Sequence, residues 1–245
     1  MRTRVEPSSA AAEQLSMRGV MRAAINLGNP VLAQRHPITG DLTGVTVALA
    51  TELAKRVGRR LVLAPFDAAG KVVDARHDDA WDVAFLAIDP KRAEEIAFSD
   101  PYILIEGVYV VAAAAPWTHA AELDRPDVRI AVGRGAAYDL HLQRSLKHAA
   151  LVRFDTSQAA LTGFYEQKLS AGAGVRQPAL AFAAENPEVR VLEEPFMVIR
   201  QSVALPPGRP DALIYINAFL KEMKASGFVA HELARSGQTG ARVAL

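Results

Sequence analysis

Apolar residues recur along this chain in two rhythms, and the rhythms take turns. Residues 20–24, continuing into Ile25-Asn26-Leu27-Gly28-Asn29-Pro30, predict a strand that runs into a polar turn punctuated by Gly and Pro. Gly44 then precedes a segment with apolar residues at 45, 49, 53 and 57. That is helical spacing, and Gly58 supplies a stop. Residues 60–65 predict a short strand with Phe66 and Asp67 at its tip, and a weaker helix follows. Residues 81–88 (Trp-Asp-Val-Ala-Phe-Leu-Ala-Ile) are apolar almost throughout, as in a strand buried on both faces of a parallel sheet.

The alternation then restarts. After residues 108–115 and a turn at Pro116, Arg129–Gly133 predicts a strand, 136–148 a helix and 151–154 a strand. A helix over 157–168 and a small-residue strand at Ala171–Val175 follow. Residues 211–225 predict an amphipathic helix with Leu213, Ile216, Phe219, Leu220 and Met223 on one stripe. Gly227 breaks it before a last short helix over 229–235. Strands alternating with helices imply mostly parallel sheets covered by helices, and a pattern that restarts implies two α/β lobes. A length of 245 residues accommodates both.

Composition narrows the chemistry. Half the residues are hydrophobic and 22% are charged, a globular balance. With 28 basic and 27 acidic side chains, the +1 net charge gives no electrostatic reason for a nucleic-acid or anionic-membrane partner. The chain has no cysteine, which excludes thiol chemistry, disulfides and cysteine-bound metals. His77, His119, His141, His148 and His231 show no ligand spacing with carboxylates, so neither a metal nor a cofactor is expected. No run of about 20 apolar residues is present, so direct membrane insertion is not expected. The first fourteen residues have a basic start (Arg2, Arg4) but then Glu6, Pro7, Ser8 and Ser9 instead of an apolar signal core. The expectation is a periplasmic protein if a signal has been removed, and a cytoplasmic one otherwise.

The segment Asp89-Pro90-Lys91-Arg92-Ala93-Glu94-Glu95-Ile96-Ala97-Phe98-Ser99-Asp100-Pro101-Tyr102 resembles the bacterial solute-binding proteins of family 3, the amino-acid type. In that family a strand carrying Asp-Val leads to an Arg and then to Phe-Ser-x-Pro-Tyr. The 44–58 helix, Gly133-Arg134-Gly135 and residues 217–227 resemble other family elements in the right order, covering about residues 21–237. The resemblance implies a type II periplasmic-binding-protein fold, with each lobe a mostly parallel sheet flanked by helices. Lobe 1 would comprise residues 18–111 and 204–245, and lobe 2, residues 112–203, would be inserted. Two crossover strands near 108–111 and 197–203 would join them. It further implies a monomer that closes on a small solute without chemistry and presents it to an ABC-type permease.

By the same resemblance, Arg92 makes a forked contact with the ligand's carboxylate, which suits a planar guanidinium better than the point charge of Lys91. The alternative is a surface Arg paired with Glu95. The strand end at Ala84 and Ala87 supplies backbone groups but no hydroxyls, a less polar floor than is usual. Phe66 is either a ring stacked on the ligand or core filling, and Asp67 a ligand contact or a helix cap. Asn26 and Asn29 either select a neutral polar group or form turns. Gly135, Ala136, Ala137 and Tyr138 open a helix whose free amides favour an anion, and Arg134 either adds charge or lies exposed.

One departure from the family matters most. Amino-acid binders place an Asp for the ligand's ammonium where this chain has Val175, followed by Arg176. An ammonium buried without a counter-charge costs several kcal/mol, in round terms. The expected ligand is therefore a carboxylate without an amine, with a second anionic group near Arg176. Glu106 overturns that expectation if it points into the cleft. Two alternatives remain: an enzyme resembling cyclohexadienyl dehydratase, for which only Glu106 and Asp67 offer an acid, and a cytoplasmic ligand-sensing module.

Overall fold

The computed structural model describes residues 4–16, 19–238 and 240–245. The expected lobe boundary at residue 18, and Arg2 of the basic start, lie outside the described residues. The chain begins with helix α1 (Ser9–Gln14), strand β1 (Val20–Asn26) and a hairpin of β2 (Gln34–Arg35) and β3 (Leu42–Thr43). Next come α2 (Val45–Arg56), β4 (Arg60–Phe66), α3 (Ala69–Asp74), β5 (Val83–Ala87), α4 (Pro90–Ala93), β6 (Ala97–Phe98) and the long β7 (Ile103–Ala112). A 3-10 turn at Ala120–Leu123 leads into β8 (Arg129–Gly133), α5 (Ala137–Ser145), β9 (Ala150–Phe154), α6 (Ser157–Glu166), β10 (Ala171–Val175), α7 (Arg176–Glu185) and β11 (Val189–Val191). The last elements are β12 (Met197–Leu205), α8 (Pro210–Ala225), α9 (Phe228–Arg235) and β13 (Arg242–Val243).

The main strands form one sheet in the order β4-β1-β5-β12-β7-β10-β8-β9. At one end β1 runs parallel to both β4 and β5. At the other end β8 runs parallel to both β9 and β10. Each end is a small α/β unit with helices across its faces, as the restarting pattern predicts. The antiparallel pair β7–β12 joins them. Strand β7 pairs with β12 from Ile103 to Gly107 and with β10 from Gly107 to Val111, so it changes partner at Gly107.

Local sequence explains the main elements. All five residues of β5 are buried, which its unbroken apolar run requires. Helix α2 buries Val45, Leu49 and Leu53 on one face, and α8 buries Ile216, Phe219, Leu220 and Met223. Thr156 accepts a bond from the Ala159 amide at 3.0 Å and so caps α6.

The periodicity gives no sign of α1, whose apolar residues are Ala10, Ala11 and Ala12, with Leu15 at its C-cap. Even so, residues 4–16 are built into the first unit. Leu15 is fully buried. The Arg209 guanidinium donates to the Gln14 carbonyl (2.9 Å), and the Gln14 side chain accepts from the Ala212 amide at the start of α8 (2.9 Å). The Val5 amide donates to Glu222 at 2.9 Å. Packing and caps on α8 hold a helix too short to persist alone. Leu15→Ala should therefore destabilise the protein by about 2–5 kcal/mol, read from the urea midpoint. A change within about 0.5 kcal/mol would show that α1 is not part of the folded unit.

Candidate functional site

Strand ends from both units converge on one cleft. From the first unit it is lined by Asn26, Gly28 and Asn29 after β1, by Ala68 and Ala69 at the start of α3, and by Leu86, Ala87 and Arg92 around β5 and α4. From the second it is lined by Gly133, Arg134, Ala136, Ala137 and Tyr138 after β8, by Thr156 and Ser157 at the start of α6, and by Val175 at the end of β10. Ile199 and Gln201 of β12 form the floor between them. Ligands bind at such carboxyl ends of strands because chain connections there leave a crevice edged by helix starts.

Arg92 is held by its place in the chain. Asp89 caps α4, accepting from the Lys91 amide at 2.9 Å, and Pro90 occupies the first helical turn. This sets Arg92 facing inward, 4% exposed. One terminal nitrogen of its guanidinium donates to the Ala87 carbonyl (3.0 Å) and the other to the Gly135 carbonyl (2.7 Å), one carbonyl from each unit. Its Nε is buried and unpartnered. Burial pushes the guanidinium down to about 10, against a weaker upward pull from Asp89, so it stays charged at neutral pH. A buried cation with a spare donor suits an anion. The alternative pairing with Glu95 does not occur, because Glu95 pairs with Arg76.

The turn after β8 differs from the expected anion cradle. Gly135 lies outside the cleft lining, and its amide donates to the Asp139 carboxylate at 2.9 Å. The Ala136 amide is tied to the Gly133 carbonyl. That leaves the amides of Ala137, Tyr138 and Asp139 as the helix's open donors. Gly135 has φ +69°, and a Cβ there would lie 3.0 Å from the Gly70 Cα, so two backbones touch where the units meet. Tyr138 is buried with its hydroxyl donating to Ser157 at 2.8 Å, and burial pushes that phenol up to about 12. Beside the cleft, Asp89 and Arg144 form an ion pair between the units at 2.7 Å.

Asn26 and Asn29 serve as both turn formers and lining residues. Their carbonyl oxygens accept the amides of Gly28 (3.0 Å) and Val31 (3.2 Å), and both side chains border the cleft. Besides Gly135, four expected residues do not. Phe66 packs on the core around Trp81 and Leu86, since its strand position turns the ring toward the sheet face. Arg176 donates to Glu106 and to the Glu193 carbonyl (2.6 Å), so this pair closes on itself away from the cleft lining. That removes the expected second anionic subsite at Arg176 and the possible ammonium site at Glu106. Asp67 pairs with Lys71 instead of capping α3.

Sequence reasoning missed Ala68, Ala69, Thr156, Ser157 and Ile199 of the lining, and also Gln201. Gln201 is 5% exposed with its Oε1 unpartnered. The signal available was a polar residue within an apolar crossover strand. Arg92 and Arg134 are the charged residues of the lining, and no carboxylate or imidazole is among its described residues.

Comparison with solved structures places this architecture among the type II periplasmic binding proteins. A mutant of ArgBP from T. maritima has 23% identity and a TM-score of 0.79, covering 93% of this chain and 99% of that one. The amino acid ABC transporter substrate-binding protein AbpA from Streptococcus pneumoniae, bound to L-arginine, has 17% identity and a TM-score of 0.79, covering 91% and 97%. The ancestral amino acid-binding protein AncCDT-1, a precursor of cyclohexadienyl dehydratase, has 23% identity and a TM-score of 0.75, covering 91% and 97%. No curated protein sequence matches. The profile of one family does, over residues 29–235, and with most of its length inside that match the chain belongs to the bacterial extracellular solute-binding proteins, family 3.

Proposed function

We propose that this solute-binding protein captures a small carboxylate that carries no ammonium group, and delivers it without chemistry to an ABC-type permease. The observation that carries the reading is the charge of the cleft, where Arg92 is buried and Val175 ends β10; Arg134 lies at the rim, exposed and 3.8 Å from Asp155. The Arg92 Nε and the open amides of α5 are donors awaiting an acceptor. The inner lining holds no carboxylate or imidazole among its described residues, and Asp67 in the neighbouring compartment is exposed and paired with Lys71, so a dehydratase would lack a positioned acid. An amino-acid ligand is the second reading, because AbpA holds L-arginine and Gln201 offers an unpartnered acceptor. A neutral amide bonds an ammonium without neutralising it, which leaves most of the burial cost in place.

In the same reading the lobes divide at 111/112 and 203/204, and closure pivots about Gly107, where β7 changes partner. Asp89–Arg144 and Arg92–Gly135 then form only on closure.

A thermal-shift comparison of simple carboxylates with α-amino acids tests the ligand class. A ligand at 100 times its Kd stabilises by about 2.7 kcal/mol. Carboxylates should shift the melting point, and Arg92→Ala should weaken them at least tenfold, since a charged hydrogen bond is worth about 1.5–3 kcal/mol. Val175→Asp should weaken the same acids and admit amino acids. A wild-type protein that responds only to amino acids refutes the reading. Arg144→Ala tests closure. Because Arg144 is 43% exposed, its loss should weaken binding only about two- to fivefold, shrinking further in salt, on the ~1 kcal/mol or less of an exposed pair. Unchanged affinity at low salt would remove that pair from the closed state.

A further inference from the structure

The cleft is too small for most of a solute. Its inner compartment, beside Arg92 and Gln201, is a cavity of about 40 Å³. That is a small space, above the roughly 10–15 Å³ that one water requires, and suited to a compact group such as a carboxylate. The inner compartment has a larger neighbour. It shares Gly28, Asn29, Thr156, Ser157 and Val175 with a second compartment of about 290 Å³.

The second compartment has a different chemistry. Beyond the shared residues its walls are mainly apolar (Leu27, Pro30, Leu161 and Pro178), with Gln158 as a polar member and bare backbone at Gly174. Its charged residue, Asp67, is exposed and engaged by Lys71 at 2.8 Å. Gly174 leaves this space open, since a Cβ there would meet only Leu161, at 3.8 Å.

Resting on the carboxylate reading above, we propose that the ligand is a monocarboxylic acid with an apolar body. Its carboxylate would fill the inner compartment at Arg92. Its alkyl chain or aryl ring would pass Val175 and lie in the outer compartment against Leu161 and Pro178. A second anionic group finds no cation there, which argues against a dicarboxylate. Apolar surface moved from water into that compartment adds affinity in proportion to the area buried.

Competition calorimetry on the purified protein tests this with acetate, hexanoate, phenylacetate, succinate and L-phenylalanine. Hexanoate or phenylacetate should bind at least tenfold more tightly than acetate and more tightly than succinate. Gly174→Leu, which fills the outer compartment, should collapse the hexanoate-to-acetate ratio, and Gly174→Ala should reduce it less. The wild-type series needs no variant, so poor folding of Gly174→Leu does not decide the outcome. If acids depend on Arg92 but acetate or succinate binds as tightly as hexanoate, the apolar-body proposal is overturned and the carboxylate reading stands. An unchanged ratio in a folded Gly174→Leu protein has the same meaning. If no acid binds, or Arg92→Ala leaves the acids untouched, the carboxylate reading itself has failed. Tighter binding of phenylalanine than of phenylacetate also overturns that reading, and points to an ammonium site instead.

Discussion

A guanidinium removed from water must find acceptors for its donors, and Arg92 finds them on opposite sides of the cleft. The Ala87 carbonyl ends a strand of the first unit, and the Gly135 carbonyl lies in a turn of the second. The site geometry follows from that constraint. Asp89 and Pro90 must start a short helix where they do so that Arg92 turns inward. The β8–α5 turn must bring a carbonyl, not only amides, to the cleft wall. The cation left between them is charged and not fully bonded, which gives an anionic group its advantage over a neutral one.

The fold was legible where burial sets a period. The continuous apolar run of β5, the stripe of α8 and the restart after Pro116 each correspond to an observed element, because the burial of strands and amphipathic helices leaves its mark at short range. Helix α1 was not legible, since its stability comes from Arg209, Ala212 and Glu222, about 200 residues away. The lining was legible in part for the same reason. Arg92, Asn26, Ala137 and Val175 stand at element ends, which the pattern locates. Arg176 and Glu106 stand near element ends too, but a mutual ion pair turns both away from the cleft, and no sequence pattern reveals that partnership. Phe66 shows the converse ambiguity, since an aromatic at a strand tip fits core and cleft equally until the strand's facing is known.

Membership of a family of solute-binding proteins does not settle what this cleft prefers. The backbone frame is shared with AncCDT-1 and AbpA at 17–23% identity, a range in which side chains lining a cavity diverge freely while strands keep their order. Here the lining is rich in alanine and glycine. The frame therefore identifies the architecture, the family match the general role, and the lining the chemistry.

Gly70 and Gly135 meet across the cleft with no side chain on either. Contact between two backbones is a hard stop, stiffer than contact between side chains that can change rotamer. If the two units close as proposed, the depth of closure is set by the chain and not by what the cleft holds. On the proposed closure, a protein so built gauges its solutes against a fixed aperture, and a molecule slightly too large is refused because the halves cannot meet.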